Sequence, residues 1–219
     1  MKILSDVGDM LTGGKLVPQS SPLPHGDPLL PVSSTEITLA IQERLISWTS
    51  EDFDITNADG SPYIRVRGAM LHLPGKDKMR LFDPNGECIA ILDRKLMALK
   101  ATFDVFRGNE KIGWIDKKVM ALTDTFEFYL ESEKGGFGPF AAKAAYWLEG
   151  EFLDRQFVMK NRDGQVVAKV VKDRLIELDA MDHYQVRVAP GMDAALVVAC
   201  ACAIDEDLDE ENQKKREEQ

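Results

Sequence analysis

Three histidines and three cysteines are the side chains of this chain best suited to bind a metal or act as nucleophiles. The histidines, His25, His72 and His183, lie far apart in the sequence and could meet only through the fold. Cys200 and Cys202 lie two positions apart, and on a helix, which we favour below for this segment, such residues point to different faces. They cannot bind one zinc ion together. We therefore interpret both cysteines as small core residues and predict neither a metal site nor a catalytic site.

The stretch GFGPFA, at residues 136–141, matches the GxGxxA pattern that holds a pyrophosphate in dinucleotide-binding folds. It follows a strand-like segment and precedes one with helix-forming residues. Pro139, however, lacks a backbone N–H at a place where a phosphate needs donors. A parallel βαβ unit also does not fit among the hairpins described below. We interpret the stretch as a loop and predict no cofactor.

The carboxylates form no pair suited to acid–base catalysis. Asp59, Asp83 and Asp163 are explained by turns, and Asp124 and Glu127 flank a strand-like segment. No Ser, Thr or Cys lies in a nucleophile motif such as GxSxG. These observations favour a protein that is not an enzyme.

Two groups of basic side chains are candidates for binding rather than catalysis. The first comprises Arg65, Arg67, Lys76, Lys78 and Arg80, and the second comprises Lys111, Lys117 and Lys118. The alternative is that these residues are solvated strand faces and loop ends. The formal net charge is −10, of which residues 205–219 carry −5 and residues 36–204 only −4. We expect no nucleic-acid partner, because binding phosphates requires a basic face.

Tight turns between β-rich runs dominate the middle of the chain. Asn-Gly and Asp-Gly turn signals occur at residues 57–60, 83–86 and 161–164, and such turns supply the positive φ angles that hairpins require. Residues 83–107 also align loosely with residues 161–188, turn on turn and strand on strand. A repeated β-meander is a natural way to close an antiparallel barrel. The fold class predicted is therefore mainly β.

Residues 194–204 are apolar without interruption and rich in alanine, and acidic residues follow from Asp205. Eleven residues are too few for a membrane span, which needs about 20. Asp193 is a good helix N-cap, and alanine favours a helix over the alternative, a central strand. A helix that is apolar on all sides must be buried on all sides. We predict that residues 194–204 form a helix inside the barrel and emerge into water at Asp205.

The composition divides the chain into three parts. Residues 1–35 are rich in Pro, Gly and Ser and predict a flexible arm whose end can pack on the domain. We assign residues 36–207 to the barrel domain and residues 208–219 to a charged acidic tail. The N-terminus lacks the continuous apolar stretch of a secretory signal. An odd number of cysteines is typical of reduced thiols in an intracellular protein, so we predict a cytoplasmic location.

Five segments in this order resemble the LURP-one-related family, which has the tubby C-terminal-like fold. They are DFDITNADGSPYIRVRG, LFDPNGECIAIL, FDVFRG, YWLEGEFLDRQFVMKNRDGQVVAKV and PGMDAALVVACACAIDE, and the resemblance covers about residues 28–207. It implies a closed antiparallel barrel of about twelve strands with a hydrophobic C-terminal helix threaded through it. The loop EKGGFGPFAAKAA and the long acidic tail depart from the pattern.

The resemblance implies a binding role rather than an activity. Plant members of the family are linked to stress and defence, which favours a cytoplasmic binding or scaffold module with a protein partner not yet identified. The alternative follows from tubby proteins, which bind phosphoinositides, and from the related scramblases, which act at membranes. A peripheral membrane module of this kind would use Arg65, Arg67, Lys76, Lys78 and Arg80. The net negative charge favours the first hypothesis, because an anionic bilayer repels an acidic protein.

Overall fold

A computed structural model describes residues 14–20, 23–43, 53–68, 78–95, 100–118, 125–134, 142–152, 156–172 and 183–217. For residues 42–43, 53, 172, 183 and 209–217 only the backbone is described. Within these residues the chain forms strands and one long helix, α1. The strands are β1 (Ile37–Glu43), β2 (Phe53–Asn57), β3 (Pro62–Arg67), β4 (Lys78–Phe82), β5 (Cys88–Arg94), β6 (Thr102–Arg107), β7 (Glu110–Lys118), β8 (Thr125–Leu130), β9 (Tyr146–Glu151), β10 (Gln156–Asn161), β11 (Val166–Lys172) and β12 (His183–Val188). Helix α1 is Ala194–Glu217, and a short 3-10 helix spans Glu131–Glu133.

The twelve strands close into one antiparallel barrel. Each strand pairs with its neighbours in the sequence, and β1 completes the ring by pairing with β12 from Ile37 opposite Val188 to Gln42 opposite His183. The predicted fold class is confirmed, including the strand number that the family resemblance implied. A closed barrel leaves no sheet edge with unpaired backbone groups.

Local turn chemistry explains why the hairpins form where they do. In the β2–β3, β4–β5 and β10–β11 turns, Gly60, Gly86 and Gly164 take φ angles of 80°, 90° and 74°. Each glycine N–H donates to the backbone oxygen three residues earlier, at 2.9–3.0 Å. All three turns lie at the barrel end where α1 begins, which we name the upper end. Helix α1 leaves through the opposite, lower end, where the β1–β2 and β3–β4 connections lie.

Alternation along each strand places one set of side chains inside the barrel, against α1. Inward positions hold large apolar residues, among them Leu39, Phe103, Phe128 and Met159. The helix supplies mainly small residues, and every residue from 194 to 204 is at most 4% exposed. Small side chains let the helix fit within the ring of strands at the close packing that protein interiors require. The predicted helix is confirmed, and Cys200 and Cys202 are buried in it as free thiols. No helix among the described residues is long and apolar enough to cross a membrane.

The sequence predicted that the helix emerges into water at Asp205, and this prediction is wrong. Burial continues through Asp207 and Leu208, and the helix itself runs on to Glu217. The reason is an inward-pointing lysine at the lower end: Lys117 Nζ lies 2.9 Å from Asp207 Oδ2. Arg94 adds a second cation, with Nη2 at 3.8 Å from Asp207 Oδ1. A paired carboxylate can stay buried where an isolated one would have to reach water.

The N-terminal stretches 14–20 and 23–36 lie across the upper end, where the sequence predicted a flexible arm over residues 1–35. Gln19 N donates to Pro190 O at 2.7 Å, and Gly191 N donates to Ser33 O at 2.8 Å. Gly191 has a φ of 77°, and a Cβ there would lie 2.2 Å from Gln19 O, so this contact requires glycine. The apolar side chains that fasten the stretches to the barrel are Leu16, Leu23 and Leu29, all buried. Proline-rich composition therefore does not prevent packing here, because the leucines find an apolar barrel end.

We expect Ala199→Asp to prevent folding, because it places a charge without a partner at the barrel axis. That substitution costs several kcal/mol, comparable with a whole-domain stability of about 5–15 kcal/mol. Soluble yield and cooperative thermal melting measure the effect, with Ala58→Asp in the exposed β2–β3 turn as the matched control. A soluble, cooperatively melting Ala199→Asp protein, or rapid alkylation of Cys200 in the native protein, would contradict burial of the helix.

Candidate functional site

The structure brings four of the five predicted site residues together on the outer wall of the barrel. Arg65 and Arg67 lie on β3, and Lys78 and Arg80 lie on the adjacent strand β4. Their side chains point outward, because the alternating residues Ile64, Val66, Met79 and Leu81 are buried inside. Lys76 lies outside the described residues. We name the surface formed by Arg65, Arg67, Lys78 and Arg80 the basic face.

The register of β3 and β4 sets the spacing within the basic face. Arg67 stands directly opposite Arg80, and Arg65 stands opposite Phe82. Arg65 and Arg80 are therefore diagonal neighbours, a relation that places the two residues about 7–8 Å apart. Flexible side chains at this spacing can reach one ligand together.

Carboxylates neutralise the basic face only in part. Arg67 Nη2 lies 3.4 Å from Asp54 Oδ1, and Lys78 Nζ lies 2.8 Å from Asp93 Oδ2. Arg65 and Arg80 are exposed, and neither forms a salt bridge within the part of the chain that the structure describes. Among the described residues, four basic side chains stand against two contacting carboxylates, in a chain of net charge −10. The basic face can therefore attract an anionic group.

The second basic group of the sequence does not form one surface. Lys117 points into the barrel towards Asp207. Lys111 lies on the outer wall, 2.9 Å from Asp104 Oδ1 and 3.0 Å from Glu131 Oε2. Lys118 contacts Glu127 at 2.8 Å. All three lysines are neutralised, and they lie on two sides of the sheet, so this group is no candidate for binding anions.

A buried carboxylate at the upper end joins the start of α1 to the N-terminal stretch. Asp193 is 0% exposed. Its Oδ1 accepts hydrogen bonds from the backbone N–H groups of Ala195 at 3.0 Å and Leu196 at 3.3 Å, which confirms the predicted helix cap. Its Oδ2 accepts from Leu29 N at 2.7 Å and lies 3.1 Å from His25 Nε2. We name Asp193, His25 and Leu29 the Asp193 cluster.

Aromatic rings seal the Asp193 cluster from solvent. The His25 ring is fully buried and meets Phe128 and Tyr146 edge-on, with centroids 6.5 and 6.3 Å away. Neither His25 Nδ1 nor the Tyr146 hydroxyl has a hydrogen-bond partner among the described residues. Burial raises the pKa of Tyr146 and of Cys200, and the negative charge of Asp193 raises both pKa values further. A sealed imidazole beside protonated hydroxyl and thiol groups can hold the N-terminal stretch in place, but it presents no activated nucleophile.

The sequence predicted the helix cap of Asp193 but missed the two contacts from the N-terminal stretch. His25 and Leu29 lie 168 and 164 residues before Asp193, and no local pattern connects them. The sequence feature that could have indicated these contacts was His25, a single histidine within a proline-rich stretch. His183 begins β12 at the lower end, the end opposite His25, and His72 lies outside the described residues. No group of three or more metal-binding side chains occurs within the described ranges.

The GFGPFA loop at residues 136–141 lies outside the described residues. The strands on either side of it, β8 and β9, pair antiparallel, with Phe128 opposite Tyr146. A dinucleotide-binding turn connects a strand to a helix within a parallel βαβ unit. The antiparallel pairing removes the context that this motif requires.

Comparison with known proteins gives a family match and a structural match. A family model described as LURP-one-related matches residues 37–205. A crystal structure of a protein from Arabidopsis thaliana superposes with a TM-score of 0.60 at 19% sequence identity, covering 80% of this chain and 93% of that one. At this identity the likeness shows the fold alone. No curated protein sequence matches the chain at a significant level. The N-terminal stretch that contacts Asp193 lies before the matched range, whereas Asp193 itself lies within it.

We expect Asp193→Asn to lower the free energy of unfolding by about 2–4 kcal/mol. The amide removes the charge and turns one of the two accepting oxygens into a donor, so buried N–H groups lose their acceptor. Urea unfolding followed by circular dichroism measures the loss. Asp163→Asn in the exposed β10–β11 turn is the control and should change stability by less than about 0.5 kcal/mol. Equal stability of the two variants would contradict an anchoring role for Asp193.

Proposed function

The chain belongs to the LURP-one-related family, and we propose that it is a non-enzymatic binding module that works through protein partners. The observation that carries this proposal is that the barrel is filled by its own helix. Side chains of residues 194–204 occupy the interior, and the N-terminal stretch covers the upper end. A filled barrel leaves its outer wall as the surface for recognition. The proposal includes the cytoplasmic location and the stress or defence role that the family resemblance implies.

The absence of catalysis in this proposal rests on the chemistry of the buried groups. His25 is sealed behind aromatic rings, and burial raises the pKa of Cys200 and Cys202, so both thiols stay protonated at neutral pH. Thiolates rather than thiols are the nucleophiles in cysteine catalysis. The environment of these three groups supports the non-enzymatic part of the proposal.

Partner capture followed by direct binding tests the proposal. Proteins cross-linked to the full chain in cells would be purified and titrated against it by calorimetry. We expect at least one to bind in a defined stoichiometry, because a filled scaffold acts through surface contacts. Ala199→Asp protein, expected to be unfolded, serves as the control for non-specific capture. If no purified candidate binds the folded chain, the proposal of a protein-binding module is wrong.

The basic face supports a second candidate, a peripheral membrane module that binds phosphoinositides. Arg65, Arg67, Lys78 and Arg80 are contiguous on one outer surface, and each basic residue near an anionic bilayer contributes about 1 kcal/mol. The net charge of −10 opposes this reading, because the rest of the protein is repelled. Short-range contacts at the basic face would have to outweigh that repulsion.

For this second candidate we expect the charge reversals Lys78→Glu and Arg80→Glu together to abolish pelleting with phosphoinositide-containing liposomes. Circular dichroism should not change, because both side chains point outward. Raising the salt concentration should weaken pelleting of the unmutated protein, since exposed charges are screened. If the unmutated protein does not pellet with these liposomes at low salt, the hypothesis of a phosphoinositide-binding membrane module is wrong.

A further inference from the structure

Two arginines on the outer wall stand directly opposite each other on neighbouring strands, where sheets usually place opposite charges. Arg67 faces Arg80 across β3 and β4, and like charges directly opposite each other destabilise a sheet. The chain has 37 acidic residues against 27 basic ones, so an acidic neighbour for Arg80 would have been easy to supply. Real proteins keep such local conflicts mainly at functional sites. The conflict marks the surroundings of Arg80 as a place for a ligand.

The two exposed arginines keep their charge available. Asp54 stands opposite Arg65 across β2 and β3, but its carboxylate contacts Arg67. Asp93, the acidic residue of β5 on this surface, contacts Lys78. Within the described part of the chain, Arg65 and Arg80 therefore have no carboxylate at salt-bridge distance.

Apolar side chains continue the row beyond the arginines. Arg80 faces Ile91 on β5, and Ile91 faces Phe106 on β6. Phe82, opposite Arg65, adds an aromatic ring. All three apolar residues point outward and are half-buried. Arginine next to aromatic and aliphatic side chains is the composition that protein interfaces favour.

The spacing of this surface fits an extended acidic segment. Side chains on one face of an extended chain repeat every two residues, about 6.6–6.8 Å apart. The diagonal from Arg65 to Arg80 is about 7–8 Å, so acids at positions i and i+2 can each meet one arginine. A straight continuation of this diagonal reaches Asp93 on β5, so the segment turns after the second acid and follows the row across the strands. A large apolar residue at i+4 then lies between Ile91 and Phe106. Guanidinium groups bind carboxylates through paired hydrogen bonds, which orients the segment.

Resting on the protein-binding function proposed above, we propose that the outer surface formed by Arg65, Arg80, Phe82, Ile91 and Phe106 docks an extended acidic protein segment with an apolar anchor. We name this surface the docking face. Its charge is complementary to carboxylates, and its apolar centre distinguishes it from a surface that binds phosphates alone. Asp207, which begins the acidic C-terminal run after the buried part of α1, does not occupy it, because Lys117 holds this carboxylate at the lower end.

The probe is a fluorescein-labelled peptide with the core Glu-Thr-Glu-Thr-Phe between Gly-Ser flanks, and binding is followed by fluorescence anisotropy. We expect saturable binding to the full chain that weakens at least tenfold when Arg65→Glu and Arg80→Glu are combined. Binding should also weaken at least tenfold when lysines replace the two glutamates of the peptide, and several-fold when serine replaces its phenylalanine. The control variant combines Lys134→Glu with Lys143→Glu, two exposed lysines away from the docking face, and should bind within twofold of the unmutated chain.

Cys88 reports whether the peptide binds at the docking face itself. It faces Phe82 across β4 and β5, and it is exposed, whereas Cys200 and Cys202 are buried. Burial raises the pKa of Cys88, while nearby Arg80 opposes the rise, so this thiol is close to the proposed contact. We expect saturating peptide to slow alkylation of Cys88 at least threefold. Circular dichroism of both double variants should match that of the unmutated chain.

The outcomes separate this inference from the function on which it rests. If neither the peptide nor its variants bind, or if the Arg65→Glu, Arg80→Glu variant binds the peptide undiminished, the inference is wrong. If the Arg65→Glu, Arg80→Glu variant still binds a protein partner in calorimetry, the proposed binding function stands and only the docking face is disproved. If the unmutated chain pellets with liposomes, the Arg65→Glu, Arg80→Glu variant does not, and the peptide never binds, then the surface binds lipids. The inference is then overturned.

Discussion

The need to fill a closed twelve-stranded barrel is the constraint on which the rest of this structure depends. An eight-stranded barrel is about the size that strand side chains can fill alone, so a twelve-stranded ring needs additional atoms inside. Helix α1 supplies them with small side chains, which allow close packing against the larger residues of the strands. Both ends of the buried helix segment then carry carboxylates that need partners. Asp193 finds backbone donors and His25 at the upper end, and Asp207 finds Lys117 and Arg94 at the lower end.

Filling the barrel also decides where function can lie. The interior offers hydrogen-bonding groups that are already used or sealed, as in the Asp193 cluster, and the upper end is covered by the N-terminal stretch. Under the proposed binding function, recognition is left to the outer wall, where described charges form local pairs such as Lys111 with Asp104. Arg65 on β3 and Arg80 on β4 depart from this pattern, because neither has a carboxylate contact among the described residues. Two such arginines lie as diagonal neighbours on this part of the wall.

Much of the fold followed from local chemistry. Glycine-containing turns predicted three of the hairpins, because the positive φ angles they need are intrinsic to glycine and require no distant contact. The helix of residues 194–204 followed from uniform apolarity, small side chains and the cap of Asp193, which are all properties of adjacent residues. The strand number came from the family resemblance. Of the candidate site, the sequence supplied residue types on two neighbouring strands but not their relative positions.

Tertiary structure decided every feature that depends on residues distant in the sequence. Alternation along a strand predicts which side chains share a face, yet only the register between β3 and β4 places Arg67 opposite Arg80. Composition suggested that Asp205 reaches water, and pairing between Asp207 and Lys117, 90 residues away, keeps the helix buried for a further turn. The bond between His25 and Asp193 likewise has no local signature. Turns and helices were predictable because their energies come from neighbours in sequence, whereas burial of charge depends on partners that only the closed barrel brings within reach.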